Sequence, residues 1–333
     1  MPKILCYGSI NIDDIFQVND IVKPGETISS SNYIVLPGGK GANQSVALAK
    51  NARPQVSHAG KIGQDGRWVL DEMERDGVDT SLVYIDPVQH TGRAIIQVSE
   101  STKDNAIVLS AGANKAITLA EAERILKERY EKGSWLVLQN EISSLPEIIT
   151  TAHSIGWNIA FNPAPCPKDL VSSGFPLNLC TLLTLNESEA SSLSNQLLGS
   201  TYVDKKITVA DAESISKRFF GSLGNLRVVV ITLGLNGAVA SFTLQPGEVK
   251  TVFQPALKVK SVDTTGAGDT FTGYFITELV KSYDGGVTEE VMQRALIYGV
   301  VAAAISTQSP GAMRSIPERD VVIEQIRDAG WTA

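Results

Sequence analysis

Asp263-Thr264-Thr265-Gly266-Ala267-Gly268-Asp269-Thr270-Phe271 is the stretch from which the rest of the chain can be read. Directly after it, Thr270–Lys281 is predicted to form a strongly amphipathic helix, so the Gly-Ala-Gly turn stands at a helix N-terminus. Residues this small let a ligand approach the backbone, and the unpaired amides of a first turn, backed by the helix dipole, attract negative charge. Asp269 falls in the same turn. A carboxylate there can take a proton from an attacking hydroxyl while the amides hold the oxygens of a transferring phosphoryl group. A helix start capped by an aspartate accounts for the same nine residues, and on them alone both readings stay open.

Working outward, Gly38-Gly39-Lys40-Gly41-Ala42-Asn43-Gln44 opens a second helix in the same manner, with Lys40 and Asn43 offering hydrogen bonds suited to hydroxyls. Asn186 and Glu189, after the apolar run Leu182–Leu185, have the spacing of a capping pair and also lie at a strand end, where α/β sheets bind ligands and a Mg²⁺–phosphate could sit. Asn11 and Asp13 follow the first apolar run, Ile4–Tyr7, and read as turn residues or as hydroxyl binders.

Between these turns the chain alternates. Helical patterns cover Ala42–Ala52, Asp65–Asp76, Leu119–Lys132, Leu145–Ile155, Ala210–Phe220, Glu289–Ser306 and Arg319–Asp328, and Thr118/Glu121 and Ser144/Glu147 have the spacing of capping boxes. Buried-strand runs fall at Trp135–Leu138, Ile159–Phe161, Leu182–Leu185 and Val228–Ile231. This predicts an α/β fold, a mainly parallel sheet with helices on both faces. Four further strand-like segments (Ile15–Val18, Tyr33–Leu36, Ala94–Val98 and Ala106–Leu109) predict a small antiparallel sheet built from two excursions, about residues 11–37 and 91–110. Ser188–Thr208 reads as a short helix and a surface loop. No linker divides the 333 residues, so a single domain is expected.

Composition removes several classes. A net charge of −7 disfavours a nucleic-acid partner. Cys6, Cys166 and Cys180 form no CxxC pair, and His58, His90 and His153 form no HExxH motif. The N-terminus lacks a secretory pattern and Ala295–Ile305 is too short to span a bilayer, so a cytoplasmic protein with no membrane partner is expected. Gly39-Lys40-Gly41 lacks the hydroxyl of a Walker A loop, and no GxGxxG turn follows a strand, which removes the usual dinucleotide-binding dehydrogenase.

Taken together in this order, Gly8-Ser9-Ile10-Asn11-x-Asp13, Gly38–Asn43, Asn186-x-x-Glu189 and Gly266-Ala267-Gly268-Asp269 resemble the ribokinase-like sugar kinases, the phosphofructokinase-B family. The resemblance runs from about residue 3 to residue 317. Its last motif is highly specific, and Gly39–Gln44 looks like the ribokinase branch rather than the fructokinase or adenosine kinase branches.

The resemblance implies roles residue by residue. Asn11, Asp13, Gly39, Lys40, Asn43 and Glu141 match positions that hold sugar hydroxyls, and Asp269 matches the general base acting on the ribose O5. Gly266, Ala267 and Gly268 match the anion hole, and Asn186 and Glu189 match the motif that helps place Mg²⁺ and phosphate. Thr232, Gly234 and Gly237 match the ATP-binding turn; Asp263, Thr265, Ser306, Ser309, Gly311 and Ser315 match a monovalent cation (K⁺) site. The small sheet corresponds to the family's lid and implies a homodimer through it. Two departures stand out. Gly299 occupies a position where relatives carry Asn or His near the adenine, and Arg93 replaces a small or apolar lid residue. An Arg93 facing the pocket would favour an acidic sugar such as 2-keto-3-deoxygluconate. Beside ribose, the same motifs are compatible with a sister kinase acting on fructose or a nucleoside, or with a non-catalytic sugar sensor.

Overall fold

A computed structural model describes residues 3–52, 55–102, 104–199, 206–245, 247–283 and 285–332. Residues 200–205, part of the segment read as helix and surface loop, lie outside the described residues.

The chain starts in β1 (Ile4–Tyr7), leaves for β2 (Asn11–Val18) and β3 (Asn32–Gly38), and returns through helix α1 (Lys40–Ala52) to β4 (Val56–Gly63). A 3-10 turn (Gln64–Gly66) and α2 (Arg67–Arg75) lead to β5 (Val78–Asp86), and a second excursion forms β6 (Gly92–Ser99) and β7 (Asn105–Ser110). Then follow α3 (Leu119–Arg129), β8 (Trp135–Gln139), α4 (Leu145–Ile155), β9 (Asn158–Asn162), β10 (Leu182–Asn186), α5 (Glu187–Leu198), α6 (Val209–Ser222) and β11 (Val228–Thr232). The hairpin of β12 (Ala238–Gln245) and β13 (Glu248–Gln254) precedes α7 (Ala267–Val280), α8 (Glu289–Ser306) and α9 (Arg319–Asp328).

The main sheet has nine strands in the order β13-β12-β11-β10-β9-β8-β1-β4-β5. Its pairs are parallel from β11 to β5, while β12 and β13 add an antiparallel edge. Alternation along β1 shows how the two cores arise: Ile4 and Cys6 join the cluster under α1, α7 and α8, whereas Leu5 and Tyr7 join the cluster under α3 to α6. Among the described residues, no helix is long and apolar enough to cross a membrane.

The second sheet, β3-β2-β6-β7, is the expected excursion pair. Each excursion contributes one antiparallel pair, and β2 joins β6 in parallel. Its register sorts side chains cleanly. Asn11, Asp13, Leu36, Ala94, Ile96 and Leu109 share one face, while Ile12, Asp14, Arg93 and Ile95 share the other.

Two local expectations are corrected. Ser144 does not cap α4: it sits in the left-handed region at φ 57, its side chain accepts no helix amide, and Pro146 supplies no N–H in the first turn. By contrast Thr118 and Asn186 form complete capping boxes with Glu121 and Glu189. Nor is α7 amphipathic. Asp269 through Val280 are all buried because the helix is wedged between α1 and α8, and its polar residues find partners within the helix, as when the Thr277 hydroxyl donates to the Gly273 carbonyl, and on neighbouring elements, as when Glu278 pairs with Arg319.

Candidate active site

Three helix N-termini converge at the C-terminal ends of the parallel strands. Lys40 opens α1, Glu187 opens α5 and Ala267 opens α7. A cavity of about 210 Å³ lies among them, lined on the helix side by Lys40, Asn186, Glu189, Gly266, Gly268 and Asp269. The positive ends of three helix dipoles make this a place for anionic oxygen, although the α1 amides of Lys40, Gly41 and Ala42 are already bonded to Glu141 and Ser9. Gly266 carries φ 75, and a Cβ there would lie 2.9 Å from the Ala312 backbone, so this turn is confined to glycine at this point. Gly39 is confined likewise, with φ 94 and the Asn11 amide 2.7 Å from a would-be Cβ.

Asp269 is buried at the third position of α7. Its Oδ2 accepts from Asn43 Nδ2 at 3.0 Å and its Oδ1 from Gln44 Nε2 at 3.0 Å. Burial raises its carboxyl above the ordinary range, against the lowering effects of Lys40 and of those two amides. A carboxylate held by two amides and facing an ammonium group is placed to accept a proton from a hydroxyl beside it. Burial alone would lower Lys40, but the carboxylates of Asp269, Glu141, Glu189 and Asp13 hold its ammonium above the usual value.

The residues expected to hold a sugar gather next to this cavity. Asp13 is buried and pushed up to about 7, first by burial and then by the neighbouring Glu141 carboxylate. Glu141 accepts from the Ser9 hydroxyl at 2.5 Å, and the Lys40 amide lies 3.4 Å from the same oxygen. Asn11 Oδ1 accepts from Asn114 Nδ2 at 2.8 Å. With Asn43 Nδ2 bonded to Asp269, its buried Oδ1 has no partner among the described residues, which leaves an acceptor for a hydroxyl group. Sequence alone does not single out Asn114, which lies in a short turn far from any glycine motif, nor Gln44, whose role inside Gly38–Gln44 emerges only when α7 packs beside it.

A second groove of about 230 Å³ adjoins the first through the shared residues Thr232 and Gly268. Gly234, Gly237 and Ala267 also line it, together with the apolar Leu257, Val259 and Ala303. An apolar slot leading into a polar anion cavity has the form required by a nucleotide with its phosphates inward. Gly299 does not line this groove. A Cβ there would fall 2.9 Å from the Phe271 ring, so the residue faces α7, and the expected substitution beside the adenine is instead a helix-packing position; Val300 and Ala303 face the groove.

Asp263 clasps two loops. Its Oδ1 accepts from the Thr265 amide and hydroxyl at 2.9 and 2.7 Å, and its Oδ2 from the Gly311 amide at 2.9 Å. The Ser309 amide bonds to the Ser306 carbonyl at 3.4 Å, while the Ser306 and Ser315 hydroxyls donate to the Ala303 and Ala312 carbonyls. Hydrogen bonds thus join Asp263, Thr265 and Gly311; the two serine hydroxyls bond only within their own turns. Arg93 bridges Asp14 and Asp65, both at 2.9 Å, on the lid face opposite Asn11 and Asp13. It does not face the pocket, which removes the geometric basis for an acidic sugar.

Comparison with known proteins identifies the family. Residues 1–319 match the pfkB family of carbohydrate kinases. The chain is 33% identical over 331 residues to a ribokinase of Haemophilus influenzae, covering 97% of each. It superposes on Cryptococcus neoformans ribokinase in complex with ADP with a TM-score of 0.80 and 34% identity, covering 98% of this chain and 100% of that one. It also superposes on Arabidopsis thaliana ribokinase complexed with ribose and ATP with a TM-score of 0.77 and 27% identity, covering 98% of each. The glycine-turn motifs, the lid and these full-length similarities have one explanation: the chain belongs to the pfkB family of carbohydrate kinases.

Proposed function

We propose that this protein transfers the γ-phosphoryl group of ATP to O5 of D-ribose, giving ribose 5-phosphate and ADP. The observation that carries the reading is the buried Asp269 carboxylate, bonded by Asn43 and Gln44 and sharing one cavity with Lys40 and the Gly266–Gly268 turn. In this reading ribose lies under the lid with its hydroxyls on Asn11, Asp13, Lys40, Asn43 and Glu141. The nucleotide base occupies the apolar groove and the phosphates reach the Gly266–Gly268 turn, where the Ala267 amide, bonded to the Thr264 carbonyl at 3.3 Å, would exchange that partner for a phosphate oxygen. Asp269 takes the O5 proton as that oxygen bonds to the γ-phosphorus and the bond to the ADP oxygen breaks. Lys40 and the α7 amides neutralise the charge on the transferring oxygens.

Glu189 faces the phosphate cavity and, with Asn186, is suited to hold a hydrated Mg²⁺, which would neutralise phosphate charge. The oxygen-only donor set of Asp263, Thr265, Ser306, Ser309, Gly311 and Ser315 suits a hard monovalent cation such as K⁺, which would add positive field behind the anion turn. The lid face carrying Ile34, Ile107 and Leu109, which are 37–54% exposed, is suited to a second copy of the chain in a homodimer.

The test is ADP release with Mg-ATP against ribose, deoxyribose, fructose, adenosine and 2-keto-3-deoxygluconate, with and without K⁺. Turnover dominated by ribose and stimulated by K⁺ is expected. Preference for another sugar would overturn the substrate assignment, and silence on all five would favour a sugar sensor.

A further inference from the structure

Gln44 is bonded directly to the candidate base. It lies wholly buried on α1, and its Nε2 is 3.0 Å from Asp269 Oδ1 and 3.3 Å from Asn162 Oδ1. Its Oε1 accepts from Gln139 Nε2 at 2.7 Å, and Gln139, equally buried, ends β8. The same Gln139 Nε2 is 3.6 Å from Cys6 Sγ on β1.

The direction of this chain follows from chemistry. An ionised carboxylate only accepts, so Gln44 must turn its amide NH₂ toward Asp269. Its carbonyl is then committed to the far side, where a donor must meet it, and Gln139 supplies one. A flipped Gln44 would bring carbonyl against carboxylate and NH₂ against NH₂. The two amides thus form a one-way relay that fixes the plane of the carboxylate.

We propose that Gln44, oriented by Gln139, is a positioning residue for proton transfer at Asp269. It fixes the rotation of the carboxylate and favours its ionised form. This inference rests on the reading of Asp269 as the base. The charged and titratable groups facing Asp269 are Lys40 from α1, Glu189 from α5, Asp13 from β2 and Cys6 from β1. The relay is uncharged, so its loss alters the acid–base behaviour of Asp269 without adding or removing a formal charge.

The experiment measures kcat, ribose KM and the acid limb of the kcat–pH profile for the full chain and for Gln44→Met, Gln44→Glu and Gln139→Met. For Gln44→Met, kcat is expected to fall roughly 10- to 100-fold, the size of a lost hydrogen bond to a charged group. Ribose KM should stay within about twofold, because the lost contact acts on the chemical step. The acid limb should move to higher pH, since the ionised form loses a donor, and move further in Gln44→Glu, where a second carboxylate replaces that donor. Gln139→Met should shift it in the same direction by less. If Gln44→Met fails to fold, Gln139→Met carries the test, because it leaves every direct contact of Asp269 in place. Wild-type kcat and acid limb in the variants, or a loss confined to KM, would overturn the proposal. If the wild-type chain does not phosphorylate ribose, the functional reading fails separately. A ¹³C NMR titration of the Asp269 carboxyl, assigned by its absence in Asp269→Asn, then reads the relay directly: an upward shift in Gln139→Met supports it and an unchanged titration rejects it.

Discussion

Asn43 Nδ2 stands 3.0 Å from Asp269 Oδ2, so the helix opened by one glycine turn donates a hydrogen bond to the carboxylate opened by the other. The two motifs lie 226 residues apart in sequence and meet because α1 and α7 pack side by side. Asn43, assigned to hold the sugar, is therefore hydrogen-bonded directly to the residue assigned to move its proton.

Replacing the proposed base should separate chemistry from binding. Asp269→Ala is expected to lower kcat about 10²- to 10⁴-fold, the usual contribution of a positioned general base. Mg-ATP affinity, measured by calorimetry, should change far less. Near-wild-type turnover in this variant would remove Asp269 from the mechanism.

Asp13 gives a signed pH dependence. With its native pKa raised to about 7, the folded protein holds this proton over a range where the unfolded chain, titrating near 4, has lost it. Its stabilising contribution is complete below about pH 4 and disappears as pH rises to about 7. In thermal unfolding without substrate, Asp13→Asn should therefore gain on wild type between pH 5 and pH 8. An equal Tm difference at both pH values would contradict the shift.

Arg93 ties lid residue Asp14 to Asp65 of the main body while Asp65 also accepts from Thr91 at the root of β6. Arg93→Met should cost only about 0.2–1 kcal/mol per pair, because the guanidinium is partly exposed. Hydrogen exchange across 92–99 should quicken, and the ratio of ribose to sugar-acid turnover should not move. A gain or loss of sugar-acid activity would place Arg93 in the pocket after all.

Two helix starts should respond in opposite ways. Thr118→Ala removes a complete capping box and should cost about 1 kcal/mol. Ser144→Gly replaces a left-handed, non-capping serine and should be neutral or stabilising by up to about 1 kcal/mol. Chemical denaturation of the pair measures both.

That contrast also marks where the sequence is legible. Thr118-x-x-Glu121 and Ser144-x-x-Glu147 are indistinguishable as spacing, and only the backbone angle at Ser144 separates them. Strands with continuous apolar runs, such as Val228–Ile231, can be read directly. β4 cannot, because Val56–Gly63 carries Ser57, His58, Lys61 and three other non-bulky positions in a strand that is almost wholly buried. Its polar groups find partners remote in sequence: His58 Nδ1 lies 2.7 Å from the Ser45 hydroxyl, and Lys61 pairs with Glu121 and the Ala116 carbonyl. The β12–β13 hairpin is hidden for another reason, since an antiparallel edge departs from the strand–helix alternation that reveals the rest. In the site, the glycine turns are legible because close backbone approach restricts residue choice, whereas Asn114 and Gln139 have ordinary surroundings until the fold brings their partners in.

Gly273 sets the spacing on which all this depends. A Cβ at this position would fall 2.8 Å from the Leu48 amide nitrogen and 2.4 Å from Ala47 Cβ, so α1 and α7 touch main chain to main chain. Gly273→Ala should push them apart at a cost of about 1–3 kcal/mol, read as a lower Tm. The two halves of the proposed site are thus gauged by backbone thickness, not by any adjustable side chain. Such a chassis can take a lid redrawn for a different polyol while its phosphoryl-transfer geometry stays in calibration.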